Sequence, residues 1–273
     1  MAPTGGRAPP KRRLPFSKSS LVQIGQFAVL SGLLLWMTLR GAAAMGYNWQ
    51  WYRIPKYLYR FEEGEFIWGA LIRGLWVTLE IAGWGLVLTI AIGLVVALLR
   101  MSTSFAGRLL AKVYLEAIRN TPLLVQLYLF YFVLSPIFGL DRLSTGILAL
   151  AFFEGSFASE IIRAGIQSVP RGQWESADSL GLSPFDRLRD VILPQAVPIM
   201  LPPMTGQIIS LIKHSSIVSV IAIFDLTTQG LNIIADTFMA FEIWFTVAAI
   251  YLAMTVSLSV FVSYLEHRWK VIR

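Results

Sequence analysis

Residues 81–99, IAGWGLVLTIAIGLVVALL, form an uncharged apolar run between Glu80 and Arg100. A helix rises about 1.5 Å per residue, so a run of this length covers the roughly 30 Å hydrocarbon core of a bilayer. The run therefore predicts a membrane-spanning helix. The composition agrees, because 56% of the 273 residues are hydrophobic and only 14% are charged. Soluble domains have about a quarter of their residues charged. A water-soluble globular domain and an intrinsically disordered chain are both excluded.

Five further segments have the length and composition of membrane spans. The fourth span along the chain is interrupted by Glu154, Glu160 and Arg163, and the fifth contains four prolines. The predicted fold class is therefore all-α, a polytopic membrane protein with about six transmembrane helices. The five further segments are residues 19–39, 120–140, 146–167, 191–212 and 243–265.

The basic residues indicate the orientation of these spans. With the N-terminus inside, the cytoplasmic segments (1–18, 100–119, 163–189 and 268–273) carry 16 Lys and Arg residues, whereas the outer segments carry five. Lys and Arg are enriched in the cytoplasmic loops of membrane proteins. We therefore expect both termini to be cytoplasmic, with the last eight residues, 266–273, forming the C-terminal segment.

The N-terminal region has two interpretations. Its basic residues, its apolar run and the segment Ala42-Ala43-Ala44 are similar to a signal peptide. The run is long for a signal peptide and Arg40 lies near its end, which favours a retained span. We expect a disordered basic cytoplasmic tail at 1–18 and an extra N-terminal transmembrane helix at 19–40.

The outer segment 41–65 is rich in aromatic side chains. It is interpreted either as a docking surface for an external partner or as an interfacial belt at headgroup depth. The belt is favoured, because Trp and Tyr prefer that layer without any partner. The aromatic residues are Tyr47, Trp49, Trp51, Tyr52, Tyr57, Tyr59 and Phe61.

Residues 168–194, SVPRGQWESADSLGLSPFDRLRDVILP, predict two short helices in the cytoplasm. Ser168 is a candidate cap for the first helix, and Gly181 supplies the left-handed residue that ends it. Ser183 caps the second helix, with Asp186 three residues later. The alternative interpretation is a well-capped connection between spans with no further role.

This loop resembles the EAA signature of importer permeases of the ATP-binding cassette class. The resemblance runs through Glu175-Ser176-Ala177, three residues, Gly181, nine residues and Val191-Ile192-Leu193-Pro194, with departures at Ser176 and Val191. Blocks 119–126, 158–166 and 213–221 are similar to those of polar amino acid permeases, with His214 in place of the usual Asp or Asn. On these motifs, residues 66–265 are identified as a member of the histidine/glutamine/glutamate permease family. The first span looks like an extension of its five-helix core.

The resemblance implies the permease subunit of an ATP-driven importer of polar amino acids in the inner membrane. The implied partners are a dimer of ATPase subunits, a second permease subunit (related or identical), a periplasmic amino-acid-binding protein and membrane lipid, with no nucleic acid. ATP and Mg²⁺ are expected on the ATPase, because this chain has no Gly-Lys dipeptide and therefore no P-loop. We expect no enzyme activity, cofactor or metal in the chain itself. The alternative is a stand-alone ion- or proton-coupled secondary transporter, whose spans are expected to show an internal repeat.

The resemblance also implies that the EAA element is a coupling helix seated on the ATPase. Glu175 offers charge-assisted hydrogen bonds to that partner, Ala177 keeps the contact face small and Gly181 sets the angle between the two helices. Trp174 and Leu180 are expected to pack against the permease itself. The candidate coupling residues are Glu175, Ser176, Ala177, Gly181 and Leu182.

An ionisable residue inside a span is expected to mark a substrate pathway. Lys213 of the fifth span is a candidate partner for an amino acid carboxylate, or else it forms a structural ion pair with Glu154 or Glu160. His214 leaves no carboxylate beside Lys213, which favours acidic or neutral amino acids. Capping and interhelical hydrogen bonding are the alternative for the candidates that begin the third span. The candidate substrate residues are Lys213, His214, Ser215, Ser216, Asn120, Thr121 and Gln126.

Overall fold

The computed structural model describes residues 18–270. Residues 1–17 of the predicted basic tail and residues 271–273 of the C-terminal segment lie outside the described residues. The first compact unit ends at Trp49 and contains helix α1 (Lys18–Ala44). Within α1, Val22–Gly41 has the length and apolar composition of a membrane span. The predicted N-terminal helix is therefore formed.

The second unit begins at Gln50 with a short irregular segment and a β-hairpin. Helix α2 (Pro55–Leu58) is followed by the antiparallel strands β1 (Tyr59–Glu62) and β2 (Glu65–Trp68). Glu63 and Gly64 in the turn both have positive φ, as a two-residue hairpin that matches the strand twist requires. The hairpin exposes aromatic rings, which is compatible with both interpretations of the 41–65 segment.

The remainder of the second unit is helical. Within the described residues, five helices are long and apolar enough to cross a membrane, or six if one bent pair counts as a single span. This agrees with the predicted fold class. All the α-helices in this remainder of the second unit, short ones included, are α3 (Ala70–Met101), α4 (Phe105–Arg119), α5 (Leu123–Leu129), α6 (Ser135–Phe138), α7 (Arg142–Gln167), α8 (Arg171–Ser179), α9 (Pro184–Asp186), α10 (Leu193–His214), α11 (Leu226–Thr237) and α12 (Ala240–Lys270).

The predicted third span is built differently from a single straight helix. Residues 105–119, expected to form a cytoplasmic loop, are the helix α4, which meets the helical segment Leu123–Phe138 at a bend of 110°. Pro122 occupies the N-cap position of the second segment. Proline also disfavours a helical conformation of the residue before it, here Thr121, and this separates the two helices. A π-helical turn, Phe130–Leu134, joins α5 to α6.

A short helix, α11, lies outside the predicted spans. After α10, a 3₁₀ segment, Ser215–Ile221, leads to Asp225, whose carboxylate accepts hydrogen bonds from the amides of Thr227 and Thr228. These bonds satisfy amide groups that the first turn of a helix leaves unpaired. Burial raises the pKa of Asp225.

The core of the second unit depends on close packing between α3 and α7. Small buried residues line one side of α3 at helical spacing, among them Gly85, Thr89 and Gly93. A Cβ at Gly93 would lie 2.9 Å from the Cβ of Ala158, so the two backbones approach closely here. Interfaces between membrane helices are enriched in such small residues, because lipid offers little hydrophobic driving force for association. The α3–α7 pair is thus the frame of the second unit, against which α4, α5, α10 and α11 pack.

Candidate functional site

The loop 168–194, which the basic residues predict to be cytoplasmic, has the predicted helix–turn–helix form. Helix α8 ends before Gly181, which has a φ of 73°, and the Ser183 hydroxyl accepts a hydrogen bond from the Asp186 amide at 3.2 Å. The prediction that Ser168 caps the first helix is wrong. Ser168 lies at the C-terminal end of α7, where its hydroxyl donates to the carbonyl of Gly165, and Pro170 is the residue before α8. Proline suits that place, because a missing N–H there costs no helical hydrogen bond.

The two halves of the loop are held together by Arg187. Its guanidinium donates to the carboxylate of Asp178 in α8 and lies 5.4 Å from the ring centroid of Trp174. Trp174 is half-buried and packs against the core beside Leu188 and Val191, as predicted. A π-helical turn, Arg187–Ile192, then continues directly into α10. The loop is therefore a rigid connection rather than a flexible one.

The candidate coupling residues differ in exposure. Glu175 and Ser176 are exposed, whereas Ala177 is only 2% exposed and packs inside the chain. The prediction that Leu180 packs against the permease is wrong, because this side chain is 79% exposed. Phe185 is also exposed, so two apolar side chains project from the loop. The half-buried Leu182 donates its amide to the carbonyl of Ala177 and helps to close the turn at Gly181.

A buried carboxylate joins α7 to α10. The Glu154 side chain is 1% exposed and lies 2.5 Å from Nδ1 of His214, and it accepts a hydrogen bond from the Gln207 amide. Gln207 and His214 are seven residues apart, which places them on one face of α10. Burying a carboxylate without partners is costly, and these two side chains supply its partners.

Lys213 lies beside this bridge but does not take part in it. It is exposed, and within the described residues it has no ion pair, so the alternative interpretation, a structural pair with Glu154 or Glu160, is not formed. Ser215 is buried and donates to the carbonyl of Ile212, and Ser216 donates to the carbonyl of Lys213. Both hydroxyl donors are therefore used within their own helical segment.

The candidates of the third span lie at the bend between α4 and α5. Asn120 donates to the carbonyl of Glu116, and Thr121 donates to that of Ala117. Gln126 is 4% exposed and its amide donates to Ile118 and Thr121. These bonds satisfy carbonyls that the end of α4 leaves unpaired. Within the described residues, no hydrogen bond joins this group to the one around Lys213.

A second charged cluster surrounds Glu160. Its carboxylate pairs with Arg100 of α3, with Arg119 of α4 at 3.2 Å and with Arg163 of α7 at 2.8 Å. The ring of Phe157 lies 5.2 Å from the Arg119 guanidinium. Three helices are thus tied at one carboxylate near the predicted cytoplasmic side.

Sequence reasoning missed these pairings. Glu154 and Glu160 were evident as charges within a span, but their partners are distant along the chain. The two partners of Glu154 are 53 and 60 residues away, and Arg100 and Arg119 are 60 and 41 residues from Glu160. The seven-residue spacing of Gln207 and His214 is the signal that could have revealed a shared polar face.

Several membrane-length helices and a buried polar bridge between two of them define a polytopic membrane protein with ionisable groups between its helices. The comparisons with known proteins specify its family. Residues 89–271 match the family of the binding-protein-dependent transport system inner membrane component. The chain belongs to this family and is a multi-pass membrane permease component.

Its relatives cover most of the chain. It is 41% identical over 179 residues to the probable glutamine ABC transporter permease protein GlnM of Bacillus subtilis (65% of this chain, 82% of GlnM). It is 38% identical over 212 residues to the glutamine transport system permease protein GlnP of Escherichia coli K12 (76% of this chain, 97% of GlnP).

Solved structures have the same fold. A crystal structure of an amino acid ABC transporter with histidines has a TM-score of 0.66 at 41% identity, covering 73% of this chain and 94% of the other. The methionine ABC transporter MetNI in an inward-facing conformation has a TM-score of 0.64 at 20% identity, covering 73% and 95%. The second similarity concerns the fold alone.

Proposed function

We propose that this chain is the permease subunit of an ATP-driven importer of polar amino acids. The observation that carries the proposal is the cytoplasmic loop, which is braced by Arg187 and yet exposes Leu180 and Phe185. Both side chains lie on one capped loop outside the membrane-length helices, and a partner subunit on this loop would cover them. The relatives named as glutamine permeases support amino acids as the transported class.

The proposed assembly is the one that the resemblance to importer permeases implies. Two permease subunits, related or identical, form the pathway; a dimer of ATPase subunits binds the loops 168–194, and an external amino-acid-binding protein delivers the substrate. ATP and Mg²⁺ are bound by the ATPase, and this chain performs no hydrolysis. Both termini lie in the cytoplasm, on the inner side of the cell inner membrane, in agreement with the distribution of basic residues.

The connections of the loop suggest how motion reaches the pathway. Residues 168–170 join α7 to α8, and the turn Arg187–Ile192 continues into α10. A displacement of the loop is therefore passed to α7 and α10 together. These are the two helices that the Glu154–His214 contact joins.

The same bridge supports acidic or neutral amino acids as substrates. The Glu154 carboxylate is occupied by His214 and Gln207, so it is not free to match a cationic side chain. Lys213 is exposed beside it and suits a substrate carboxylate. Glutamine, which the relatives' names give, is a neutral amino acid with that carboxylate, and it is the first substrate to test.

Reconstitution with the partner subunits tests the proposal. Proteoliposomes that contain this permease, the ATPase and the binding protein are expected to accumulate radiolabelled glutamine with ATP inside, and unlabelled acidic or neutral amino acids should compete better than arginine or lysine. Accumulation by the permease alone on an ion gradient, without ATP, would show a secondary transporter and would refute the proposal.

Two sets of variants separate coupling from substrate binding. Leu180→Ser and Phe185→Ser should reduce ATPase co-purification while membrane insertion is unchanged, with Leu109→Ser, an exposed leucine outside the loop, as the control.

Lys213→Ala should lower uptake at least about tenfold without loss of assembly, and Lys213→Arg should keep part of it, since a charge-assisted bond contributes about 1.5–3 kcal/mol. Equal uptake by Lys213→Ala and the wild type would remove Lys213 from the pathway.

A further inference from the structure

A basic cavity of about 580 Å³ lies between the C-terminal end of α3, helix α4 and helix α7. Its charged lining contains four cations and two carboxylates, a formal charge of +2. The three cations on α4 lie at positions 108, 112 and 119, spacings of four and seven residues, which place them on one face of that helix. The charged residues are Arg100, Arg108, Lys112, Arg119, Glu116 and Glu160.

The carboxylates of the cavity do not neutralise all of its cations. Glu160 is shared by Arg100 and Arg119, and Glu116 accepts a hydrogen bond from the Asn120 side chain. Within the residues that the structure describes, Arg108 donates to two backbone carbonyls, those of residues 102 and 103, at 3.0 and 2.9 Å, and to no carboxylate, so its guanidinium is oriented without being neutralised. Lys112 has no ion pair or hydrogen bond within the described part of the chain. The cavity therefore has positive charge available to an anion.

An apolar groove of about 390 Å³ adjoins this cavity. Leu99 and Ala111 line the groove and are the sequence neighbours of Arg100 and Lys112, which line the cavity. From Leu99 the groove follows α3 to Ala91, about 12 Å at 1.5 Å per residue. The groove presents no polar surface, and the Tyr114 hydroxyl in its wall is already bonded to a backbone carbonyl.

The position of both features corresponds to the inner leaflet of the membrane. Arg100 ends the apolar run of α3 on the side that the basic residues predict to be cytoplasmic. Helix α4 has its cations on one face and exposed apolar residues such as Leu110 and Val113 on the other, the pattern of a helix that lies in the interface. Basic pockets between helices on this side are typical binding sites for anionic lipid headgroups.

We propose that α3, α4 and α7 bind one anionic phospholipid of the inner leaflet, with its phosphate in the basic cavity and an acyl chain in the apolar groove. A free phosphate matches the charge of the cavity but does not use the groove. A zwitterionic lipid uses the groove but brings no net negative charge. An anionic phospholipid is the one occupant that satisfies both features. The bound lipid joins α4 to the α3–α7 frame.

The test measures lipid retention by the purified full chain with native mass spectrometry. Phosphatidylglycerol and phosphatidylcholine with identical acyl chains are titrated separately. We expect tighter binding of phosphatidylglycerol, weakened about 25-fold in the double variant Arg108→Gln/Lys112→Gln, because each surface cation contributes about fivefold. Phosphatidylcholine binding should not change. The matched control is Arg189→Gln, a basic residue that is exposed on the same predicted side and does not line the cavity.

A second pair of variants tests the groove. Val95→Phe fills it, whereas Leu94→Phe adds the same ring at a neighbouring position that does not line it. Losing contact with two methylene groups corresponds to about fifteenfold weaker binding, so Val95→Phe should weaken both lipids and Leu94→Phe neither. If the double charge variant is not recovered as folded protein, rising salt with the wild-type chain gives the same contrast: phosphatidylglycerol binding falls and phosphatidylcholine binding does not.

Four results would overturn the proposal. They are equal binding of the two lipids, no effect of the charge variants or of salt, displacement of the lipid by inorganic phosphate at the same concentration, and loss of the lipid when the importer assembles. The third would show a free-anion site, and the last would show that a second copy of the chain or another subunit covers the cavity.

Discussion

The contact between α3 and α7 leads to a prediction with a built-in control. A Cβ added at Gly93 would lie 2.9 Å from the Cβ of Ala158 and 3.2 Å from two backbone atoms, the carbonyl carbon of Ala158 and the amide nitrogen of Ser159. Backbone atoms cannot rotate away as a flexible side chain does, and both residues are completely buried. The substitution Gly93→Ala must therefore push the two helices apart.

The magnitude follows from overpacking. Inserting one methyl group into a well-packed core costs about 1–3 kcal/mol. The reduced backbone freedom of alanine favours the helix, but Gly83→Ala on the same helix gains this equally, and a Cβ at Gly83 meets nothing within 4 Å. The difference between the two variants thus isolates the steric term, and Gly93→Ala should be about 1–3 kcal/mol less stable than Gly83→Ala.

Thermal unfolding of the two purified variants in the same detergent measures this difference. A domain of this size loses about 2–4 °C of melting temperature per kcal/mol, so a separation of several degrees is expected. Equal melting temperatures would show that α3 and α7 are not in close contact, and the account of the core would then be wrong.

Three further predictions concern individual turns and charges. Gly181→Ala should cost about 1–2 kcal/mol and weaken ATPase co-purification, because φ is 73° there, whereas Gly172→Ala in α8 should be neutral or stabilising by thermal unfolding. Glu160→Gln should lower the melting temperature by the equivalent of about 1–3 kcal/mol, since charge-assisted bonds from three helices are lost; no change would show that the cluster is only a solvated surface. Asp141→Ala, which removes the cap of α7, should cost about 1 kcal/mol near neutral pH. Hydrogen bonds from Ser144 lower the pKa of Asp141, so the cap contributes fully above the ordinary aspartate pKa, and the difference from wild type should vanish in unfolding curves as the pH falls through the lowered folded-state value.

Five of the spans and the capped form of the loop 168–194 were predictable because their signals are local. An apolar run such as 81–99 has to be matched only to the thickness of the bilayer, and Gly181 and Ser183 act on backbone groups within four residues. The wrong prediction at Ser168 also concerns a local hydrogen bond: the Ser168 side chain does bond to the backbone, but to the helix before it rather than to the helix after it.

The bend at Asn120–Pro122 was less accessible. The number of charges in 105–119 is typical of a loop. Only their spacing, which places them on one face of a helix, distinguishes an interfacial helix from a loop. Helix α11 was missed because it is short and mixed in polarity, and because its cap, Asp225, is a common loop residue as well.

By itself, the sequence determined the positions of five membrane helices and the capped form of the loop, since each depends on a stretch of contiguous residues, but it placed the bent third span as a single helix at 120–140. Only the tertiary structure decided which polar side chains pair: Glu154 with His214 and Gln207, and Glu160 with arginines of three helices. It also places Lys112, which has no ion pair within the described residues, beside an apolar groove. The physical reason is that a buried charge takes whichever partner the packing of whole helices brings to it. That packing rests on contacts such as Gly93 with Ala158, between residues far apart along the chain.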